Sequence, residues 1–464
     1  MDAFVTGPGA GSASAEAPAR SAGPASGEAA LLPGQATATC ADVGKAAVEA
    51  GRVAVVGLGY VGLPTALALH ASGARVTGMD VSPARLDAIR RRAVDLLPGQ
   101  YAGLAAALED EEFLLTDDAD AFRDCEAVVI CVPTPVTDDA VPDLTELRAA
   151  CAAVVARARA GQLLLLTSTS YVGTTRDLLV TPLRERGLPP ERDVFVAFAP
   201  ERIDPGNPLH GQERTPRVVG GVGAAATERA AALLARTSPV VHRVDSPETA
   251  EMAKLWENTF RAVNIALANE LADSCLTLGL EPHAVIHAAA TKPYGFMPFY
   301  PGPGVGGHCI PCDPHYLRWQ LAQRGAATPL LDTAMAAVAA RPDTVAARAL
   351  ALLAARKDAS RPPRVLLLGV SYKPGVADIR DSPALRIIDV LSANGASVAY
   401  TDPYVPTLAR GPRVLTAVAD PAARTWDLVI VHTRHPGWDL SWVPDSTPVL
   451  DPTHQGMPEA VLRS

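Results

Sequence analysis

From Arg52 onward the chain alternates short, β-rich apolar runs with longer helical stretches, and it does so twice. The first series holds Val53-Ala54-Val55-Val56, Arg75-Val76-Thr77-Gly78-Met79, Ala127-Val128-Val129-Ile130, Leu163-Leu164-Leu165-Leu166, Phe195-Val196-Ala197-Phe198 and Arg217-Val218-Val219. After Arg361-Pro362-Pro363 the theme returns in Val365 to Gly369, in Ser397 to Tyr400 closing on Asp402, and in Leu428 to Val431. That rhythm predicts parallel sheets covered by helices on both faces. Between the two series lies a helical block. Ser246 suits its N-cap, Pro247 the first helical position, Glu248 the positive helix end, and Gly279 the stop. The expected fold is α/β, with two Rossmann-like doubly wound domains joined by a central helical domain containing a long helix. The expected boundaries are 51–245, 246–357 and 358–464. Residues 1–50, rich in Ala, Gly, Pro and Ser, bury too little to offset their ordering entropy and are expected to form a disordered tail.

Composition removes some classes of function. A net charge of -9 argues against nonspecific nucleic-acid binding, which needs a basic face. The 7 cysteines are odd in number and mostly scattered, so a reducing cytoplasm suits them better than a disulfide framework. The N-terminus carries Asp2 and Glu16 where a secretory signal would want basic residues. No apolar run reaches the roughly 18–20 residues of a membrane span. The expectation is a cytoplasmic protein without membrane contact.

Gly57-Leu58-Gly59-Tyr60-Val61-Gly62 follows the first strand and opens a helix. Such glycines permit a tight turn, a close approach to a pyrophosphate and helix–strand packing, and the helix start offers an anion site. Asp80 ends the second strand, where a carboxylate accepts bonds from ribose hydroxyls and repels a 2′-phosphate. NAD is therefore the expected cofactor, with Arg85 close by. Cys131-Val132-Pro133-Thr134-Pro135 follows another strand and falls at the same cofactor edge.

The segment from Pro301 to Pro314 is dense in glycine and presents Cys309, with Asp313 four residues on. A nucleophilic thiol is one reading. Half a zinc site with His308 or His315, or a Cys309/Cys312 dithiol, are others, but no second metal pair or thioredoxin-like context accompanies them.

These motifs together resemble the UDP-glucose/GDP-mannose dehydrogenase family from about residue 52 to 455. The resemblance rests on Gly57 to Pro64, Ser168-Thr169 through Thr175, Pro200-Glu201-Arg202, Ala250 to Lys254 through Glu270, the Cys309 loop, and Ser371-Tyr372-Lys373-Pro374 through Pro383. Within the family, Lys292 to Tyr300 and Glu201 to Asn207 look most like UDP-N-acetylglucosamine 6-dehydrogenases, with UDP-N-acetylmannosamine and UDP-glucose as alternatives. The resemblance implies two successive oxidations at C6 with two NAD, the aldehyde being held on Cys309 and passing to a thioester. It implies that Lys254 and Asn258 bind the substrate oxygen, that Lys254 and Asp313 manage protons, and that Glu201 activates water. Tyr60, Val61, Thr134, Thr169 and Arg380 would join the cofactor site. Arg202, Arg261, Phe299, Tyr300, Gly306 and Lys373 would contact the UDP-sugar, and the long helix would make a homodimer or a higher homo-oligomer.

The chain also departs from its family. Thr167 stands where many relatives have Glu, and Pro205 where some have a second Glu. Asp451-Pro452-Thr453-His454 replaces the usual Asp-x-Arg. Cys312 replaces an apolar or basic residue, and its oxidation with Cys309 would inactivate such an enzyme. A two-electron hydroxyacid dehydrogenase would need neither Cys309 nor a second nucleotide-like domain. A non-catalytic binding module would not need Lys254, Asn258, Cys309 and Asp313 intact.

Overall fold

The computed structural model describes residues 51–455 apart from 97–98, 138, 191, 203–213, 308, 357–359 and 412, and Cys309 by its backbone only. The N-terminal tail, Asp204 to Asn207 with Pro205, and His308 lie outside the described residues.

The first lobe runs β1 (Arg52–Val56), α1 (Gly62–Ala71), β2 (Arg75–Met79), α2 (Pro83–Arg90), α3 (Gln100–Glu109), β3 (Phe113–Thr116), β4 (Ala127–Ile130), α4 (Thr145–Arg157) and β5 (Leu163–Leu166). It continues with a π-helical turn (Arg176–Val180), α5 (Thr181–Glu185), β6 (Phe195–Phe198), β7 (Arg217–Gly221), α6 (Ala224–Leu234) and β8 (Val241–Val244). The strands form one 8-stranded sheet in the order β3-β2-β1-β4-β5-β6-β7-β8. Side chains alternate faces along a strand, so Val53 and Val55 enter one apolar layer while Ala54 and Val56 enter the other. Every pair is parallel except β6 with β7, an inversion the apolar pattern did not announce. β7 and β8 thus run against the rest.

Four helices follow: α7 (Pro247–Leu278), α8 (Pro282–Ala290), α9 (Cys309–Gln323) and α10 (Pro329–Ala354). α7 has the expected ends. The Ser246 side chain accepts the Thr249 N–H, Pro247 is its first residue, and Gly279 closes it in the left-handed region at φ 70°. The last lobe comprises β9 (Arg364–Leu368), α11 (Pro383–Ala393), β10 (Ser397–Thr401), the hairpin β11 (Thr407–Arg410) with β12 (Arg413–Thr416), β13 (Leu428–Val431) and β14 (Val449–Leu450). Its 4-stranded sheet has the order β10-β9-β13-β14, all parallel. The α/β fold with a central helical domain is as expected. Among the described residues no helix is long and apolar enough to cross a membrane.

Two buried polar contacts tie α7 to its neighbours. Glu251 accepts the Gly173 N–H at 2.6 Å, the Thr175 N–H at 2.9 Å and the Thr175 hydroxyl at 2.7 Å. It so caps the turn that starts the helical stretch into α5, although burial pushes its own pKa up to about 7. Asn269 accepts the Gly302 N–H at 2.9 Å, and Arg341 on α10 donates to the Gly302 carbonyl at 3.0 Å and to both Asp273 oxygens at 2.8 Å. All three partners of Glu251 are donors, so a carboxamide would turn its own N–H₂ on at least one of them. Glu251→Gln is expected to cost about 1–3 kcal/mol, the usual penalty of an unsatisfied buried donor, read as a lowered thermal midpoint. A midpoint equal to that of the parent would refute the capping role.

Candidate active site

β1, β2, β4, β5 and β6 all end at one edge of the first sheet, and the polar residues gather in the loops just beyond those ends. Ligands of open α/β sheets bind outside this carboxyl edge. After β1, the three glycines divide their work. Gly57 has φ +86°, and a Cβ there would lie 2.9 Å from the Cys131 carbonyl oxygen. A Cβ on Gly62 would lie 1.7 Å from the Gly57 oxygen, so both are held tightly from below. A Cβ on Gly59 would meet nothing within 4 Å, which leaves that face of the turn open to a ligand. Val61 precedes α1 without a side-chain cap; Leu63 donates to the Gly59 carbonyl and Pro64 has no N–H, so of the first three helical residues the Gly62 amide is the one turned to the helix start without a bond given to it. After β2, half-buried Asp80 accepts the Leu58 N–H at 2.9 Å and the Ser82 N–H at 3.0 Å, while Arg85 donates to the Leu58 carbonyl at 2.8 Å. These residues fit the adenosine half of NAD. The corresponding acid in the last lobe, Asp402, is sealed: it is buried and accepts N–H groups of Val370, Ser371 and Tyr404 and the His435 ring. Burial opposes its charge, but these bonds prevail and hold its pKa at about 2.

After β4 and β5, Thr134 is buried and Thr169 half-buried. Tyr316 of α9 donates its hydroxyl to the Thr134 carbonyl at 2.9 Å, and Gln320 bonds both backbone groups of Val172, docking α9 on this edge. After β6 comes Glu201, which accepts the Arg202 N–H at 2.8 Å and Arg217 Nη1 at 2.8 Å. The Arg202 guanidinium is engaged with Glu257 of α7 and the Pro216 carbonyl.

The helices supply the rest. Lys254, Asn258 and Asp313 are all buried, and the Asn258 amide donates to Asp313 Oδ2. Burial raises the Asp313 pKa to about 6, against the pull of the Lys254 ammonium and the Asn258 bond. Cys309 is the first residue of α9, one turn before Asp313. Its loop is pinned by the last lobe. Gly307 donates its N–H to the Arg380 carbonyl at 2.9 Å, and Cβ atoms on Gly306 and Gly307 would lie 2.6 and 2.9 Å from Tyr372 side-chain atoms. The Arg380 guanidinium is paired with Asp378 and lies 4.1 Å from the ring centre of Tyr60 in the glycine turn.

The remaining candidates lie further out. Arg261 is exposed on α7, next to Phe260, whose ring meets Phe299 edge-on at 5.8 Å. Tyr300 stacks on His283 at 5.1 Å, and His283 reaches the Thr453 carbonyl at 2.7 Å. Lys373 is half-buried beside Tyr372. Asn264, a third asparagine on the same helix, is half-buried and donates to the Phe260 carbonyl of its own helix. Arg217 was not singled out by sequence; the available signal was a charged residue opening an otherwise apolar strand. Among the described residues no group of His, Cys, Asp or Glu could hold a metal ion.

The UDP-glucose/GDP-mannose dehydrogenase family matches through its NAD binding domain at residues 51–237, its central domain at 248–338 and its UDP binding domain at 366–448. The NDP-N-acetyl-D-galactosaminuronic acid dehydrogenase of Ralstonia solanacearum is 33% identical over 82% of this chain and 90% of its own length. The UDP-N-acetyl-D-mannosamine dehydrogenase of Escherichia coli (strain K12) is 31% identical over 82% and 93%. A UDP-D-ManNAc dehydrogenase structure from Pyrococcus horikoshii superposes with a TM-score of 0.79 at 30% identity, covering 88% of this chain and 97% of that one. With three consecutive domain models matched and such relatives aligned over most of its length, this chain belongs to the UDP-glucose/GDP-mannose dehydrogenase family.

Proposed function

We propose that this NAD-dependent nucleotide-sugar dehydrogenase oxidises the C6 alcohol of a UDP-N-acetylhexosamine to the carboxylate in two hydride steps, through a thioester on Cys309. The observation that carries the reading is the buried Asn258–Asp313 pair beside Lys254, one turn from Cys309 on α9. NAD, bound over the Gly57 turn, supplies the hydride acceptor. Lys254 and Asn258, spaced i, i+4, offer an ammonium and an amide to an oxygen that gains negative charge. Asp313 takes the proton that the alcohol loses, directly or through water. Cys309 then holds the aldehyde between the two oxidations. It opens a helix, the end at which a thiolate is favoured. Glu201 activates water for release of the acid.

The sequence favoured UDP-N-acetylglucosamine. Relatives above 30% identity are named for UDP-N-acetylmannosamine and NDP-N-acetylgalactosaminuronic acid, and this moves the proposal to UDP-N-acetylmannosamine, its epimers coming second. Homodimeric or higher assembly through the exposed Trp256, Phe260 and Leu267 of α7, and a cytoplasmic setting, belong to the same proposal.

The deciding assay incubates the protein with NAD and UDP-sugars and counts NADH per sugar consumed. Two NADH with UDP-N-acetylmannosamine preferred is the expected result. One NADH, or full turnover by Cys309→Ser, would sink the thioester route. The pH dependence has a definite sign. Asp313 must be ionised to accept a proton, and its pKa is raised to about 6, so kcat is expected to fall as pH drops through about 6. Asp313→Asn is expected to lose on the order of 100-fold in kcat and that acid limb with it; a limb that persists assigns it elsewhere.

A further inference from the structure

Arg217 stands at the start of β7 and is 3% exposed. β6 and β7 are antiparallel, with Ala197 opposite Gly221 and Phe198 opposite Gly220. The same register, carried past the end of β6, sets Glu201 opposite Arg217. Only an inverted strand could do this, because a parallel β7 would begin at the far edge of the sheet. The pairing is realised: Arg217 Nη1 lies 2.8 Å from Glu201 Oε2, and Glu201 is 9% exposed. An isolated buried carboxylate is costly, and a guanidinium on the neighbouring strand both offsets its charge and fixes its direction.

Behind this pair lies a narrow cavity of about 10 Å³ lined by Thr65, Thr167, Arg217 and Thr237 together with apolar side chains. That is about the room one water needs. Two of its lining residues carry buried polar atoms that make no hydrogen bond of ordinary geometry, Thr167 Oγ1 and Arg217 Nε, with the Cys131 thiol next to the Thr167 hydroxyl. One is an N–H donor and the other a hydroxyl, so each has a bond that a water is chemically able to complete.

We propose that Arg217 is the positioning residue that aims Glu201, and that one bound water joining Arg217 Nε to Thr167 Oγ1 fixes Arg217 in turn. The proposal rests on the thioester reading above and concerns its hydrolytic step alone. In that step the water oxygen bonds to the acyl carbon and a water proton passes to Glu201. The C–S bond breaks with its electron pair going to Cys309, and no oxidant is consumed. Arg217 bonds to the Glu201 carboxylate and acts through its direction.

The test is rapid-quench turnover of the full-length enzyme with NAD and UDP-N-acetylmannosamine, following NADH and the intact protein mass together. Arg217→Met is expected to form two NADH in the first turnover at close to the parental rate. It should then accumulate the acyl adduct, with steady-state turnover down about 10–100-fold. Arg217→Lys should restore part of the loss. Thr167→Val, which keeps the ion pair, should show the same split more weakly, about 3–10-fold, and keeps the test open if Arg217→Met does not fold. Folded Arg217→Lys and Thr167→Val proteins that slow hydride transfer and release equally, without an adduct, would overturn the proposal. If the parent itself never shows a Cys309-dependent adduct and Cys309→Ser still releases acid, the thioester reading fails first, and this inference falls with it.

Discussion

A row of polar side chains runs along one buried face of α7, and everything near the candidate site hangs from it. Glu251, Lys254, Asn258 and Asn269 recur at helical spacing and are all buried. Asp273, one turn past Asn269, continues the row as the partner of Arg341. Buried polar groups must be satisfied, and each of three finds its partner on a different element: Glu251 on the start of the helical stretch into α5, Asn258 on α9, Asn269 on the glycine loop. A 32-residue helix spans on the order of 48 Å, enough to hold three such elements in fixed relation. Helix propensity gives no reason for these residues; the contacts do.

The edge geometry arises from the same economy of elements. Parallel strands deliver the glycine turn, Asp80, Thr134, Thr169 and Glu201 to one edge, and α9 lands there through Tyr316 and Gln320. The last lobe contributes backbone as much as side chains: the Arg380 carbonyl accepts the Gly307 N–H, while Tyr372 and the Asp381 carbonyl leave Gly306 no room for a Cβ and the Tyr372 ring leaves none at Gly307. Its own Rossmann-type acid is closed, since Asp402 is consumed by backbone amides and His435. The two halves share a fold and differ in what that fold leaves open.

Much of this was legible in the residues. Apolar runs located β1, β2, β4, β5, β6, β9 and β13, and Ser246 and Gly279 marked the ends of α7, because local chemistry alone governs strand cores and caps. β3 and β8 escaped notice because both are largely half-buried or exposed, with His242 and Arg243 breaking the apolar pattern in β8. The reversal of β7 is a matter of pairing, which composition does not carry. So is the fate of Arg202, expected on substrate and engaged with Glu257, and of Asn264, bonded to its own helix. Of the candidate site, residue types were readable, while their partners were set by contacts far apart in the chain.

Arg380 joins two loops that no sequence motif connects. Its carbonyl holds Gly307, and its guanidinium covers Tyr60. The glycine turn and the Cys309 loop therefore both rest on one residue, Arg380. If ligands at both places displaced Arg380, linkage would require each to change the other's affinity by the same factor.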